Sequence, residues 1–196
     1  MLEVVILAAG YSSRLGTNKM ELLIDKKPIL RLVIEAFYPL CDKIHVVGGH
    51  YYKEVELITK DYSKVNLIKN NNYSLGMFSS ILCGIKEVSD ECFITPGDYP
   101  LITAEIVEII GNTSGEFVVP TYKGRRGHPV KLSKEVVKDL KNEPTSSNLK
   151  VFRDRYEIVH VEVDEQGVLL DVDTMESYEK VKSIKEGVLG NEIRQL

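Results

Sequence analysis

Apolar runs of three to five residues recur along the first two thirds of the chain, separated by stretches whose apolar positions follow a helical period. Val4-Val5-Ile6-Leu7, Lys43-Ile44-His45-Val46-Val47, the short run over 65–68, Cys92-Phe93-Ile94-Thr95 and Phe117-Val118-Val119 each read as a buried strand. Leu30, Val33, Ile34 and Phe37 fall on one helical face. They predict a helix with Pro28 at its first position, running to about Tyr38 and stopped by Pro39. Between these, Asp25-Lys26-Lys27 reads as a turn. Further helices are predicted over about 52–59 and 77–88, and from a Thr103 cap to Ile110.

The last third is less regular. His128-Pro129-Val130-Lys131-Leu132 reads as extended, Ser133 caps a short helix to Leu140, and 143–152 predicts another. The runs at 158–161 and 168–170 flank Asp164-Glu165-Gln166-Gly167, which predicts a hairpin. Asp171-Val172-Asp173-Thr174 then precedes a helix to about 184. Strand and helix alternating over short connections predict a single-domain α/β fold. The expectation is a three-layer, Rossmann-like, mostly parallel sheet with helices on both faces and an antiparallel addition near the C-terminus. The domain is expected over residues 1–186, with a loosely ordered tail at 187–196.

Composition narrows the function classes. At 196 residues, 43% hydrophobic and 28% charged, the chain can build one substantial core. A net charge of −4 predicts no general attraction to nucleic acid or to a membrane surface, so any basic site must be local. Cys41, Cys83 and Cys92 form no C-x-x-C pair, which points to reduced thiols in a cytoplasm. No signal peptide is visible, and no apolar run is long enough to span a bilayer.

Candidate chemistry gathers after the first strand, in Leu7-Ala8-Ala9-Gly10-Tyr11-Ser12-Ser13-Arg14-Leu15-Gly16-Thr17-Asn18-Lys19. Small residues let backbone approach a ligand, and successive N–H groups can cradle phosphate oxygens. Arg14 and Lys19 add fixed charge suited to phosphate. A nucleoside triphosphate is the natural ligand of such a loop, although it matches neither the P-loop nor the dinucleotide fingerprint. In an open parallel sheet, ligands bind beyond the carboxyl ends of strands. Asp98, in Pro96-Gly97-Asp98-Tyr99-Pro100, and Asp173 both stand at such positions and could share one Mg²⁺. Taken singly, Asp98 reads equally as a turn residue and Asp173 as a helix N-terminal carboxylate. His45 alternates with apolar strand neighbours and reads as structural; His50 and His160 show no metal-ligand spacing.

The loop resembles the signature L-A-A-G-x-S-x-R-[ML]-G-x-x-K of the molybdopterin nucleotidyltransferase family, within the wider nucleotide-diphospho-sugar transferase group. Gly97-Asp98-Tyr99-Pro100 is similar to that family's G-D-x-P, and Asp171-Val172-Asp173-Thr174 to its D-[IV]-D-T. Gly76-Met77-Phe78-Ser79-Ser80-Ile81 resembles G-[ML]-x-S-S-[IL], and Gly124-Arg125-Arg126-Gly127-His128-Pro129 resembles G-x-x-G-H-P. The resemblance implies a Mg²⁺-dependent transfer with Lys19 and Arg14 as catalytic cations and Asp98 and Asp173 as metal ligands. Leu7, Ala8, Ala9, Gly10, Ser12, Ser13, Arg14, Lys19, Gly76, Ser79, Ser80 and Asp98 are implied to bind the nucleotide. Arg125, Arg126 and His128 are implied to face the acceptor, although the arginines read equally as a solvated basic turn and the serines as a helix cap. Ala8-Ala9-Gly10, where the guanylyl branch commonly has Ala-Gly-Gly, favours CTP, as does Ser79-Ser80. The implied acceptor is molybdopterin, and the implied protein partner is the enzyme that receives the finished cofactor. A sugar or alcohol phosphate as acceptor, and a non-catalytic nucleotide binder, are the alternatives. Phe78, Met175 and Ser177 depart from the family pattern, which bears on acceptor identity more than on reaction type.

Overall fold

A computed structural model describes residues 1–187; the expected tail lies outside the described residues from 188 onward. In chain order the first half contains β1 (Leu2–Ala8), β2 (Leu23–Ile24), β3 (Lys27–Pro28), α1 (Ile29–Phe37), β4 (Lys43–Gly48), α2 (Tyr52–Thr59), β5 (Val65–Lys69), α3 (Met77–Ile85) and β6 (Glu91–Pro96). The second half contains α4 (Ala104–Asn112), β7 (Phe117–Tyr122), β8 (Arg125–Arg126), β9 (Val130–Leu132), α5 (Lys134–Leu140), α6 (Leu149–Arg153), β10 (Ile158–Glu162) and α7 (Met175–Lys185). The main sheet runs β10-β7-β9-β6-β1-β4-β5, with β8 added against β7. β1 pairs in parallel with β4 and β6, and β5 and β10 also join in parallel. The antiparallel component is β9, inserted between β6 and β7, together with the short β8.

The central strand shows why this is a three-layer fold. Along β1, Val4, Ile6 and Ala8 pack with α1, α2 and α4, while Val5 and Leu7 pack with α3, α5 and α6. Alternate side chains point to opposite faces of a strand, so a strand covered on both faces must be apolar throughout. Glu3 is the polar exception on β1. Its fully buried carboxylate sits 2.6 Å from His45 Nε2 and accepts from the Ser89 amide and hydroxyl at 2.8 and 2.6 Å. His45 is therefore structural, as its strand position predicts.

Three expected elements differ. The helix expected from Pro28 starts at Ile29, because Lys27 and Pro28 pair back onto Leu23 and Ile24 around Asp25 and Lys26, both at positive φ. The helix expected over 143–152 is confined to Leu149–Arg153, starting at the Asn148 cap. The hairpin expected over 158–170 does not form. β10 runs parallel to β7, and residues 166–169 form a 3-10 turn in place of a strand. Gly167 is required there for close approach: a Cβ at this position would lie 2.6 Å from the Leu101 carbonyl oxygen. The segment crosses the carboxyl ends of the strands, with the Val168 carbonyl accepting from the His128 amide at 2.9 Å. Among the described residues, no helix is long and apolar enough to cross a membrane.

Candidate active site

The loop after β1 is folded around its own serine. Ser12, at φ +52°, accepts from the Leu15 and Gly16 amides through its carbonyl, and its Oγ accepts from the Lys19 amide at 3.2 Å. Buried Asn18 then caps the 3-10 turn at Lys19–Glu21 by accepting from the Met20 amide. These bonds hold the Lys19 backbone in place, and its side chain is only 14% exposed.

Two distant segments meet it. Asp98 follows β6, and its carbonyl accepts from the Val172 amide at 2.9 Å, which pins the stretch before α7 to this strand end. Thr174 caps α7 in a capping box with Ser177, whose hydroxyl also accepts from the Asp173 amide at 2.9 Å. Ser177, the departure from the family pattern, thus has a positioning task. The Lys19 ammonium pairs with Asp98 Oδ2 and lies 3.6 Å from Asp173 Oδ1, while the Arg14 guanidinium pairs with Asp173 Oδ2.

Burial raises the Asp98 pKa above the ordinary carboxylate value; Lys19 opposes this and the Asp171 charge adds to it. Asp98 Oδ1 is buried without a hydrogen-bond partner. An orphaned carboxylate oxygen beside a second carboxylate suits a hard divalent cation, which takes oxygen ligands. Among the described residues no group of three or more His, Cys, Asp or Glu could hold a metal unaided, so the remaining ligands would come from phosphate and water.

Beside this centre opens a pocket of about 230 Å³. Of the residues predicted to bind nucleotide, Leu7, Ala9, Gly10, Lys19, Gly76, Ser80 and Asp98 line it. Gly10 faces open space, with nothing within 4 Å of where a Cβ would stand. Gly76, at φ +94°, makes the turn into α3, a conformation that disfavours any side chain. Ala8, Ser12, Ser13, Arg14 and Ser79 do not line the pocket. Ala8 packs in the core beneath α1, Ser13 is exposed, and Arg14 is engaged with Asp173. Ser79 Oγ donates to the Asn72 and Gly76 carbonyls and accepts from Asn70 Nδ2, so it braces the loop.

Sequence reasoning missed the aromatic wall. Tyr11 and Tyr73 line the pocket with ring centroids 5.3 Å apart, and His50 sits 4.9 Å from Tyr11. Tyr11 lies inside the recognised loop, which is the one signal that could have drawn attention to it. Asp171 was also passed over, although its charge acts on Asp98, Tyr99 and His128.

The residues expected at the acceptor separate. Arg126 and His128 line a second cavity, whereas Arg125 faces another one with Tyr122 and Lys180. The His128 ring lies 4.9 Å from that of Tyr99, the residue after Asp98. Burial pushes the His128 pKa down to about 4, against Asp171 and the Ile94 backbone, so the imidazole is neutral near pH 7.

A mostly parallel α/β sheet with a glycine loop, a lysine and two carboxylates converging at its strand ends defines a nucleotide-handling protein. Residues 4–160 match the model of the MobA-like NTP transferase domain, and the chain belongs to that family of nucleotidyltransferases. It is 29% identical over 182 residues to the molybdenum cofactor cytidylyltransferase of Escherichia coli K12, covering 90% of this chain and 93% of that one. It is 32% identical over 105 residues to a probable molybdenum cofactor guanylyltransferase of Natranaerobius thermophilus, covering 53% of this chain and 50% of that one. Among solved structures, the Mycobacterium sp. strain JC1 homolog of a Mycobacterium tuberculosis protein superposes with a TM-score of 0.80 at 26% identity, covering 95% of this chain and 98% of that one.

Proposed function

We propose that this nucleotidyltransferase transfers CMP from CTP to the terminal phosphate of molybdenum-bound molybdopterin. An acceptor phosphate oxygen attacks the α-phosphorus, the bond from that phosphorus to the β-phosphate oxygen breaks, and pyrophosphate leaves. A phosphate monoester is already a competent nucleophile, so the protein supplies alignment and charge in place of a general base. The observation that carries this reading is the meeting of Lys19 with Asp98 and Asp173 beside a pocket rimmed by Gly10.

Lys19 would neutralise charge developing on the α-phosphoryl oxygens, and Arg14 with the loop amides would hold the triphosphate tail. Tyr11 and Tyr73 would flank the base, and Ser80 would offer it a hydroxyl. Asp98 and Asp173 would hold Mg²⁺, which when bound polarises phosphoryl oxygens as a Lewis acid. CTP is preferred because the relative matched over nearly its whole length carries a cytidylyl name. The test is pyrophosphate release from each of the four triphosphates with this acceptor, with Mg²⁺ and after chelation. CTP turnover that chelation removes and Mg²⁺ restores is expected. Turnover with GTP alone would reverse the base assignment, and no turnover with any triphosphate would end the reading.

A further inference from the structure

Asn70 is a buried residue at the end of β5, and its backbone amide donates to the Gly48 carbonyl at 2.9 Å. Its side-chain Oδ1 accepts from the Asn72 amide at 2.9 Å. A backbone N–H can only donate, so the atom it meets must be the oxygen, and the NH2 end must face the other way. There Nδ2 donates to two hydroxyls of α3, Ser79 Oγ and Ser80 Oγ, both at 3.0 Å. Ser79 passes its own proton to the Asn72 and Gly76 carbonyls. Ser80 differs: among the described residues its O–H meets no acceptor, and it lines the nucleotide pocket. Outside the Lys19–Asp98 pair it is the one buried polar side chain to do so.

We propose that Asn70 is a positioning residue for base selection. By occupying a lone pair of the Ser80 oxygen, it turns that hydroxyl into a donor aimed at ring N3 of cytosine. This rests on the CTP reading above and deepens it.

Cytosine and uracil differ at two positions of the ring edge. Ring N3 accepts in cytosine and carries a hydrogen in uracil. The group on C4 donates in cytosine and accepts in uracil. The C2 carbonyl is common to both. A donor facing C4 would therefore favour uracil, and a donor facing the C2 carbonyl would favour neither. Only at N3 does a fixed donor favour cytosine. Facing uracil there, the Ser80 proton would oppose the N3 hydrogen, and a buried donor would go unpaired. A serine free to rotate would accept from uracil as readily as it donates to cytosine, because a hydroxyl does both. Asn70 removes that freedom. The Tyr11 and Tyr73 rings cannot supply the choice, since every base has a π-face to stack.

The test is calorimetric titration of the full chain at pH 8 with CTP, UTP and 3-deazacytidine triphosphate, each with Mg²⁺ and without acceptor. The deaza analogue places a C–H where cytosine has N3. CTP is expected to bind about tenfold tighter, or more, than either of the others. Ser80→Ala should remove that margin by weakening CTP alone, and Ser80→Thr, which keeps the hydroxyl, should retain it. Asn70→Asp offers only acceptors, so Ser80 would donate to the new carboxylate and turn its lone pairs to the pocket. UTP should then bind at least as tightly as CTP. A merely structural Asn70 would weaken both triphosphates in step, and that result would overturn the proposal. So would equal binding of CTP and the deaza analogue by the unaltered chain, a comparison that needs no variant to fold. If CTP were still preferred to UTP in that case, the CTP reading would stand without the N3 contact. Preference for GTP over CTP would overturn both. A Ser80-dependent margin in a chain that transfers CMP to no acceptor would keep the base contact and remove the transfer reading.

Discussion

Replacing Lys19 with methionine removes the cation that lies within ion-pair reach of both Asp98 and Asp173. The Lys19 and Asp98 side chains are 14% and 11% exposed, so water screens the pair little. Removing one partner of a buried pair is worth about 3–5 kcal/mol when the other stays charged. Asp98 escapes part of that by protonation, because burial already raises its pKa, with Asp171 adding to the rise and Lys19 opposing it. Without Lys19 the pKa rises further. A carboxyl whose folded pKa lies above its unfolded value is stabilising when protonated, and that stability is lost as pH rises through the folded pKa. The penalty of Lys19→Met should therefore be about 3 kcal/mol at pH 8 and smaller at pH 5, because lowering the pH makes protonation of the unpaired carboxylate less costly. Urea unfolding of both proteins at the two pH values measures it. Equal losses at pH 5 and 8 would refute the claim that Lys19 neutralises a buried carboxylate. In turnover the same variant should lose about 10²–10³ in kcat, the range for deleting one transition-state donor.

Three further outcomes follow from other parts of the molecule. Tyr11→Ala should raise the KM for the triphosphate about tenfold with kcat nearly unchanged, since base–aromatic stacking is worth about 1–3 kcal/mol; steady-state kinetics would show it. Gly167→Val should destabilise by about 1–3 kcal/mol, because its Cβ would stand 2.6 Å from the Leu101 carbonyl oxygen; a thermal melt reads this. Burial pushes the Glu3 pKa up, but hydrogen bonds from Ser89 and His45 outweigh it and hold the carboxyl below the ordinary value. Its contribution is therefore present above the unfolded carboxylate pKa and lost as pH falls through the lower folded value. Melting temperature should drop less steeply between pH 5 and 3 in Glu3→Gln than in the original chain.

Much of this architecture is legible in the sequence, for an identifiable reason. β1, β4 and β6 are covered on both faces, so each prints as a mostly apolar run, and helices such as α1 and α4 show their buried stripe directly. The local code fails where a segment is shaped by distant backbone. Asp164-Glu165-Gln166-Gly167 has the composition of a hairpin turn, yet Gly167 serves contact with Leu101, and β10 finds its partner 41 positions back, with Ile158 opposite Phe117. At the site, Lys19, Asp98 and Asp173 were visible because they sit at element ends within recognisable strings. Tyr73 and Asn70 were not, because what they share is the pocket that one lines and the other braces through Ser80, and that exists only after folding.

The central claim is that Lys19, Asp98 and Asp173 form one centre that binds a metal-complexed triphosphate. Crystals grown with CTP and Mn²⁺, measured at the manganese absorption edge, test it most directly. The account predicts one anomalous peak within coordination distance of Asp98 and Asp173, with the triphosphate lying along residues 10–19. Manganese and triphosphate bound away from both aspartates would contradict it.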